Sequence, residues 1–309
     1  MGAALNPYRS ELLGYDADWQ KFHTSLQEKR LIGAAPVDPF WEQIKLEAVT
    51  ALQTQPEAGP QLYQGILSQP NLLTAIVTVI SHQIETELIP ATAIRSLFLE
   101  LLTTEDEYLI RMDLQAVATR SPSVENAMDA LLFHNGFHAI VCYRVSHRLW
   151  LADRTSLAYY MQSTVSRKYS ADIHPACQLG SSLYLRVGAG VVIGETAVVG
   201  NDVSILEGVT LGGTGKEAGD RHPKVGNGVI IQDGGTVLGN IPVGDGSVIT
   251  AKSIVNKPVP PLAIVSGVPG RVLAFRELDE AAFDDALQEH LVAKYLEAWK
   301  VVEQERIQE

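Results

Sequence analysis

The sequence predicts an α+β chain with three parts: an N-terminal α-helical domain, a parallel β-helix built from hexapeptide repeats, and a C-terminal helix. Three observations carry this. Apolar residues recur at helical spacing through the first half. In the second half the apolar period changes to six, which neither an α-helix nor an ordinary strand has. After Pro269-Gly270 the spacing returns to helical, with Leu278, Ala281, Phe283, Leu287, Leu291, Tyr295 and Trp299 on one stripe.

Residues 1–37 read as an extension ahead of the helical domain, 38–168. Asp38-Pro39 is an N-cap followed by proline at the first helical position, and Phe40, Trp41, Ile44, Ala48, Val49 and Leu52 follow on one face. Further amphipathic stretches cover 61–85, 91–103, 105–117, 123–133 and 136–165. The β-helix is expected over 169–275. Ile173, Leu179, Leu185, Val191, Ala197, Val203 and Val209 are spaced by six, and Val225, Ile231, Val237, Val243, Ile249 and Val255 resume the spacing after a break. Each hexad would form one flat side of a triangular coil, its aliphatic pointing inward, with small residues such as Gly180, Gly194, Gly226 and Gly244 at the corners. Thirteen hexads make slightly more than four coils. The break, "GGTGKEAGDRHPK" (212–224), reads as a loop ejected from the helix. Its "GGTGK" is not a phosphate loop: the glycine spacing is wrong, and Glu217 stands where Ser or Thr is needed. Residues 276–309 form the expected helical tail.

Composition excludes several function classes. With 24 basic and 36 acidic residues the net charge is −12, which argues against nucleic acid or an anionic membrane as partner. No apolar run reaches the ~18 residues that span a bilayer. The N-terminus lacks a signal-peptide pattern, so a cytoplasmic location is expected, or the soluble compartment of an organelle if a transit peptide has been removed. Cys142 and Cys177 have no paired spacing and read as reduced thiols. Only His174 and His222 fall in the repeat region, and no His–X4–His pair exists, so no metal centre is expected. His138 and His147 lie on a helix and read as packing residues, and His174 as a coil corner.

From about Phe40 to Leu273 the chain closely resembles the serine O-acetyltransferase family. The resemblance is carried by "DLQAVATRSP" (113–122), "GFHA" (136–139), "ADIHPA" (171–176), "VIGET" (192–196), "NDVSILEGVTLGGTGK" (201–216), "GDRHPK" (219–224) and "GVPGRVL" (267–273). It implies a left-handed β-helix, assembly as a homotrimer or a hexamer of paired trimers, and acetyl-CoA as co-substrate with no tightly bound cofactor. It also implies direct acyl transfer: a carboxylate-held histidine takes the proton of the serine hydroxyl, which attacks the thioester. By motif, Asp172 matches the aspartate that orients this base. Arg221 and His222 match residues that hold the substrate carboxylate and hydroxyl, and Asp113 an acid near the substrate ammonium. The stretch that contacts the coenzyme would include Gly212, Gly213, Gln232, Asp233, Gly234, Ala251 and Lys252.

The chain departs from the pattern in three places. In "LYLRVGAGVVIGET" (183–196), Arg186-Val187 occupies the place where the family reads Asp-His. Val187 cannot accept a proton, and Arg186 reverses a charge that would hold an ammonium. General-base catalysis is worth roughly 10²–10⁴ in rate. In the coils lining the thioester arm, Gln232, Asp233, Thr250 and Lys252 replace small residues that let the ligand approach the backbone. Asp233 would also place negative charge beside a polyanion. Finally the chain ends Gln308-Glu309 rather than in isoleucine, which argues against the family's complex with the sulfhydrylase that follows it. Two readings result. The first is a catalytically impaired or inactive member, acting as a structural or regulatory subunit of a homo-oligomer, or of a hetero-oligomer with an active paralogue or a larger assembly. The alternative is a working serine O-acetyltransferase, or related O-acyltransferase, with a rearranged site in which His222 is the base.

Overall fold

The computed structural model describes residues 38–216 and 218–276, so the expectations for 1–37 and for the C-terminal helix lie outside the described residues. Helix α1 (Pro39–Thr54) starts at Asp38, whose carboxylate accepts from the N–H groups of Phe40 and Trp41 at 3.1 and 3.3 Å. It buries Trp41, Ile44 and Ala48. The stretch expected at 61–85 is two segments. Helix α2 (Gly59–Leu62) runs into a π-helical turn at Tyr63–Leu67. The chain then breaks before Asn71, which caps α3 (Leu72–Ile84) through a reciprocal box with Thr74. Pro70, with no N–H to offer a helix, falls in this break. Helices α4 (Ala91–Leu101), α5 (Thr104–Arg120) and α6 (Ala127–Phe133) follow. Thr103 and Asp106 cap α5 reciprocally, and Asn126 caps α6.

The stretch expected at 136–165 is a helical hairpin, α7 (Asn135–Leu151) and α8 (Thr155–Tyr169), with α8 packed back along α7. The reversal passes through Asp153 at φ 57°, and the N–H of Arg154 closes on the carbonyl of Leu149. Periodicity missed the break because the same apolar spacing resumes after three residues.

The second half is a parallel β-helix. Its strands are β1 (Ala171–Ile173), β2 (Gln178–Leu179), β3 (Tyr184–Leu185), β4 (Val191–Ile193), β5 (Val198–Val199), β6 (Ser204–Ile205), β7 (Thr210–Gly212), β8 (Lys224–Val225), β9 (Ile230–Ile231), β10 (Thr236–Leu238), β11 (Pro242–Val243), β12 (Val248–Ile249), β13 (Ile254–Val255), β14 (Ala263–Ser266) and β15 (Arg271–Phe275). The three walls have the strand orders β1-β4-β7-β10-β13, β2-β5-β8-β11 and β3-β6-β9-β12-β14-β15. Among the described strands only β15 pairs antiparallel, closing the end of the coil.

All thirteen hexad aliphatics are buried, but they are not one stack. The stacked residues of the first wall are Ile173, Ile193, Leu211, Val237 and Val255. Leu179 stacks on Val199, and Leu185 on Ile205. Val191, Ala197, Val203 and Val209 therefore sit two residues ahead of the stacked position. Strand side chains alternate with period two, so both residues point inward and a count of six cannot tell them apart. The slip is real: Leu185 and Ile193 are the consecutive stacked residues, so the side between them carries two more residues than a regular hexad. The extra pair falls in the turn 186–190, between β3 and β4.

That turn is shaped from above by α7. A Cβ on Gly136 would lie 1.7 Å from the carbonyl oxygen of Leu185, so only glycine lets α7 pack here. Gly188 and Gly190 in the turn have φ of 86° and 70°. The two halves share one hydrophobic core. They are also locked by a buried ion pair: Arg144 donates to Asp113 at 2.5 Å and to the carbonyl of Gly180 at 2.8 Å, while the N–H of Leu183 donates to Asp113 at 2.9 Å.

Candidate functional site

The site residues gather at two corners of the coil, on either side of the first wall. Asp172 stands on the outer face of that wall, at the centre of β1, where Gln162 of α8 donates to its carboxylate at 2.6 Å.

The corner that leaves the first wall holds Arg221 and His222, brought there by the loop 213–223. The Thr196 hydroxyl accepts from the N–H groups of Arg221 and His222 at 3.0 and 3.1 Å, which ties the loop to the β4–β5 corner. Arg221 pairs with Glu195 at 2.7 Å, holding the Glu195 carboxyl below its ordinary value. Lys224 pairs with Asp220 at 2.5 Å and donates to the Thr196 carbonyl. The His222 ring lies across Gly194, where a Cβ would come within 2.1 Å of Nε2. Gly213 packs beside the Arg221 side chain, and Gly212 ends β7 at this same corner.

The protonation of His222 follows from its contacts. Its Nδ1 accepts from the N–H of Thr196 at 3.2 Å, so in the neutral ring the proton sits on Nε2. Burial and the nearby Arg221 charge lower its pKa, which keeps the ring neutral near pH 7. Its Nε2 is therefore a donor, suited to holding an oxygen and unsuited to taking a proton. His174 is alike: Nδ1 accepts from the N–H of Ala176 at 3.1 Å, and the ring packs edge-on to Trp150 and Tyr159. It is a coil-corner residue. His138 donates to the carbonyl of Leu131 at 2.7 Å inside the helical domain, and His147 bonds the carbonyl of Pro175.

The corner that enters the first wall holds Arg186-Val187. Val187 is 42 % exposed, an aliphatic facing outward with no proton-accepting atom. Arg186 is not a free cation. It pairs with Glu207 one coil on and with Asp233 two coils on. Hydrogen bonding to Glu207 raises the Arg186 pKa, and the Asp233 carboxyl is held low by hydrogen bonding and the Arg186 charge, which outweigh its slight burial. Next along this edge, the N–H of Lys252 donates to the carbonyl of Asp233 at 2.8 Å, and the Lys252 side chain lies over Gly234. Gln232 accepts from the N–H of Ala251 at 3.1 Å.

Several expectations change on this geometry. Asp113 is fully buried, accepting from Arg144 and from the N–H of Leu183, and so links the two halves. Asp233 is paired rather than a bare negative charge. The departures at Arg186 and Asp233, independent in sequence, are in direct contact. The residues expected to line the coenzyme fall into two sets: Gly212 and Gly213 beside Arg221, and Gln232, Asp233, Gly234, Ala251 and Lys252 at the opposite corner. Sequence reasoning gave no role to Glu195, Thr196, Glu207 or Gln162. The first two lie in "VIGET", which is quoted above only as a motif. Glu207 becomes visible only once the coil register is known. Among the described residues no cluster of His, Cys, Asp and Glu is able to hold a metal ion, and no helix is long and apolar enough to cross a membrane. Both cysteines are buried and unpaired, and burial raises both thiol pKa values.

Comparison with known proteins agrees with this architecture. The family profile described as serine acetyltransferase, N-terminal, matches residues 40–142. The serine acetyltransferase of Escherichia coli K12 is 42 % identical over 246 residues, covering 79 % of this chain and 90 % of that protein. Serine acetyltransferase 2 of Arabidopsis thaliana is 42 % identical over 242 residues, covering 78 % and 75 %. The crystal structure of the Brucella abortus serine acetyltransferase in complex with coenzyme A superposes with a TM-score of 0.77 at 45 % identity, covering 78 % of this chain and 97 % of that one. With identity at this level over most of both chains, and the same helical domain and β-helix, the chain belongs to the serine acetyltransferase family.

Proposed function

We propose that this chain keeps the body of a serine O-acetyltransferase without a general base of its own, and serves as a poorly active or inactive subunit of a family-type oligomer. One observation carries the reading: the turn between β3 and β4, where the resemblance puts the aspartate and the catalytic histidine, presents Val187 to solvent and ties Arg186 to Glu207 and Asp233. Acetyl transfer to a serine hydroxyl needs an acceptor for the hydroxyl proton as the oxygen attacks the thioester and CoA thiolate leaves. Losing that acceptor costs roughly 10²–10⁴ in rate. Arg221 and His222 sit together at one corner, so the chain retains groups that would hold substrate, while Asp172 on the wall between keeps the place of the carboxylate that would orient a base. Acetyl-CoA is a substrate in this reading, and a homotrimer, a hexamer or a mixed oligomer with an active relative is the expected setting.

The relatives' names support a second reading, and on their own they favour it: all those compared are named for acetyl transfer to serine. A working enzyme would then use His222 as base. The Thr196 N–H on Nδ1 opposes this, because it leaves Nε2 protonated in the neutral ring. The test is CoA release from acetyl-CoA at saturating serine, on the purified full chain, followed with a thiol reagent. Release at the uncatalysed background is the expected result. Steady turnover that His222→Ala abolishes would establish the second reading and remove the first.

A further inference from the structure

The corner at Arg186 carries a line of charges that runs over four coils. Four successive coils enter the first wall there, and they present Arg186, Glu207, Asp233 and Lys252 in turn. Arg186 reaches both carboxylates. The Lys252 N–H donates to the Asp233 carbonyl in the backbone bond that links successive coils here, as Gly234 does to Glu207; the Lys252 side chain lies over Gly234, and Gln232 accepts from the N–H of Ala251 across the same interval. Two positive and two negative side chains leave this edge without net charge to attract an anion. The long side chains lie along the edge rather than away from it.

We propose that Arg186, Glu207 and Asp233 form an ionic staple that pins the enlarged 186–190 turn to the coils beyond it, and that together with the Lys252 side chain over Gly234 they close this edge of the β-helix to a coenzyme A thioester. The first half of the proposal rests on the contacts alone. The second half deepens the functional reading and rests on the family's placement of the thioester arm along this edge. Gly136 and Gly188 hold the turn from above, and the staple holds it from below. Arg186 and Asp233 are thus one coupled change: reverting Arg186 to aspartate alone would set a third carboxylate beside Glu207 and Asp233, where like charges repel.

Two measurements on the full chain separate the halves. The first is a double-mutant cycle by thermal unfolding, with Arg186→Met, Asp233→Asn and both. Each single substitution is expected to lower Tm by about 2–4 °C, the shift typical of ~1 kcal/mol in a protein of this size. The double is expected to lose clearly less than the sum, and the losses to shrink in 1 M salt, where the Debye length falls to about 3 Å. Additive, salt-independent losses would overturn the staple. The second is calorimetric titration with CoA of the wild type and of the variant Gln232→Gly/Asp233→Ala/Thr250→Gly/Lys252→Gly. No saturable binding to the wild type below about 1 mM, and at least tenfold tighter binding to the variant, are expected; a tenfold change corresponds to 1.4 kcal/mol. Micromolar binding of CoA to the wild type would overturn the closure while leaving the staple to the first measurement.

Discussion

At the residue scale the account turns on Arg186, Val187 and His222. Placing histidine back at position 187 is expected to raise CoA release by less than tenfold when made alone, because Arg186 and the filled edge remain; a hundredfold gain from Val187→His alone would contradict this. The titrating groups give a second prediction. Burial pushes the pKa of both His134 and His138 from 6.5 to about 4. A histidine with a depressed folded pKa contributes stability that is complete above its unfolded value and is lost as pH falls through its folded value. Stability should therefore decline as pH drops from 6.5 toward 4, and His138→Gln should flatten that decline in a series of denaturant titrations. A slope unchanged by His138→Gln would contradict the assignment. The identity of residues 186 and 187 was legible in the sequence. Their partners were not: Glu207 and Asp233 are neighbours of Arg186 only because the coil returns, and the return distance depends on turn lengths that spacing does not give. Asp113 shows the same limit. Its motif was legible along the chain, but its burial against Arg144 was not.

At the element scale, the helices and strands follow their local signals closely. Asp38, read from the sequence as a cap, caps α1, and Asn71, Thr103 and Asn126 cap α3, α5 and α6. The misplaced features are the breaks at Ser68–Asn71 and at Ala152–Arg154, and the two-residue slip in the first coil, where one period continues on both sides of an interruption. The turn that carries the slip is also the turn where the resemblance puts the base, and Gly136 packs against it. Gly136→Ala would drive a methyl into the Leu185 carbonyl, so α7 or the turn must move. An overpacking cost of about 1–3 kcal/mol is expected, read as a lower denaturant midpoint with little change in the slope. Wild-type stability in Gly136→Ala would mean that α7 is not what seats the turn.

For the whole molecule, the helical domain and the β-helix form one body, because a single hydrophobic core and the Asp113–Arg144 pair cross the junction. Arg144→Ala leaves Asp113 buried without its partner, which costs about 3–5 kcal/mol. Differential scanning calorimetry should then show a large fall in the main transition; a negligible one would mean the halves are held by packing alone. The fold class was legible from the change of period, and the family from its motifs. Whether this family member turns over depends on a handful of side chains, and that question has one decisive comparison. CoA release at saturating serine is measured for the wild type beside the variant Arg186→Asp/Val187→His/Gln232→Gly/Asp233→Ala/Thr250→Gly/Lys252→Gly. The account predicts wild-type release at background and a gain of at least about 10² in the variant, the lower bound for restoring a general base. Brisk wild-type turnover, left unchanged by the reversion, would contradict it.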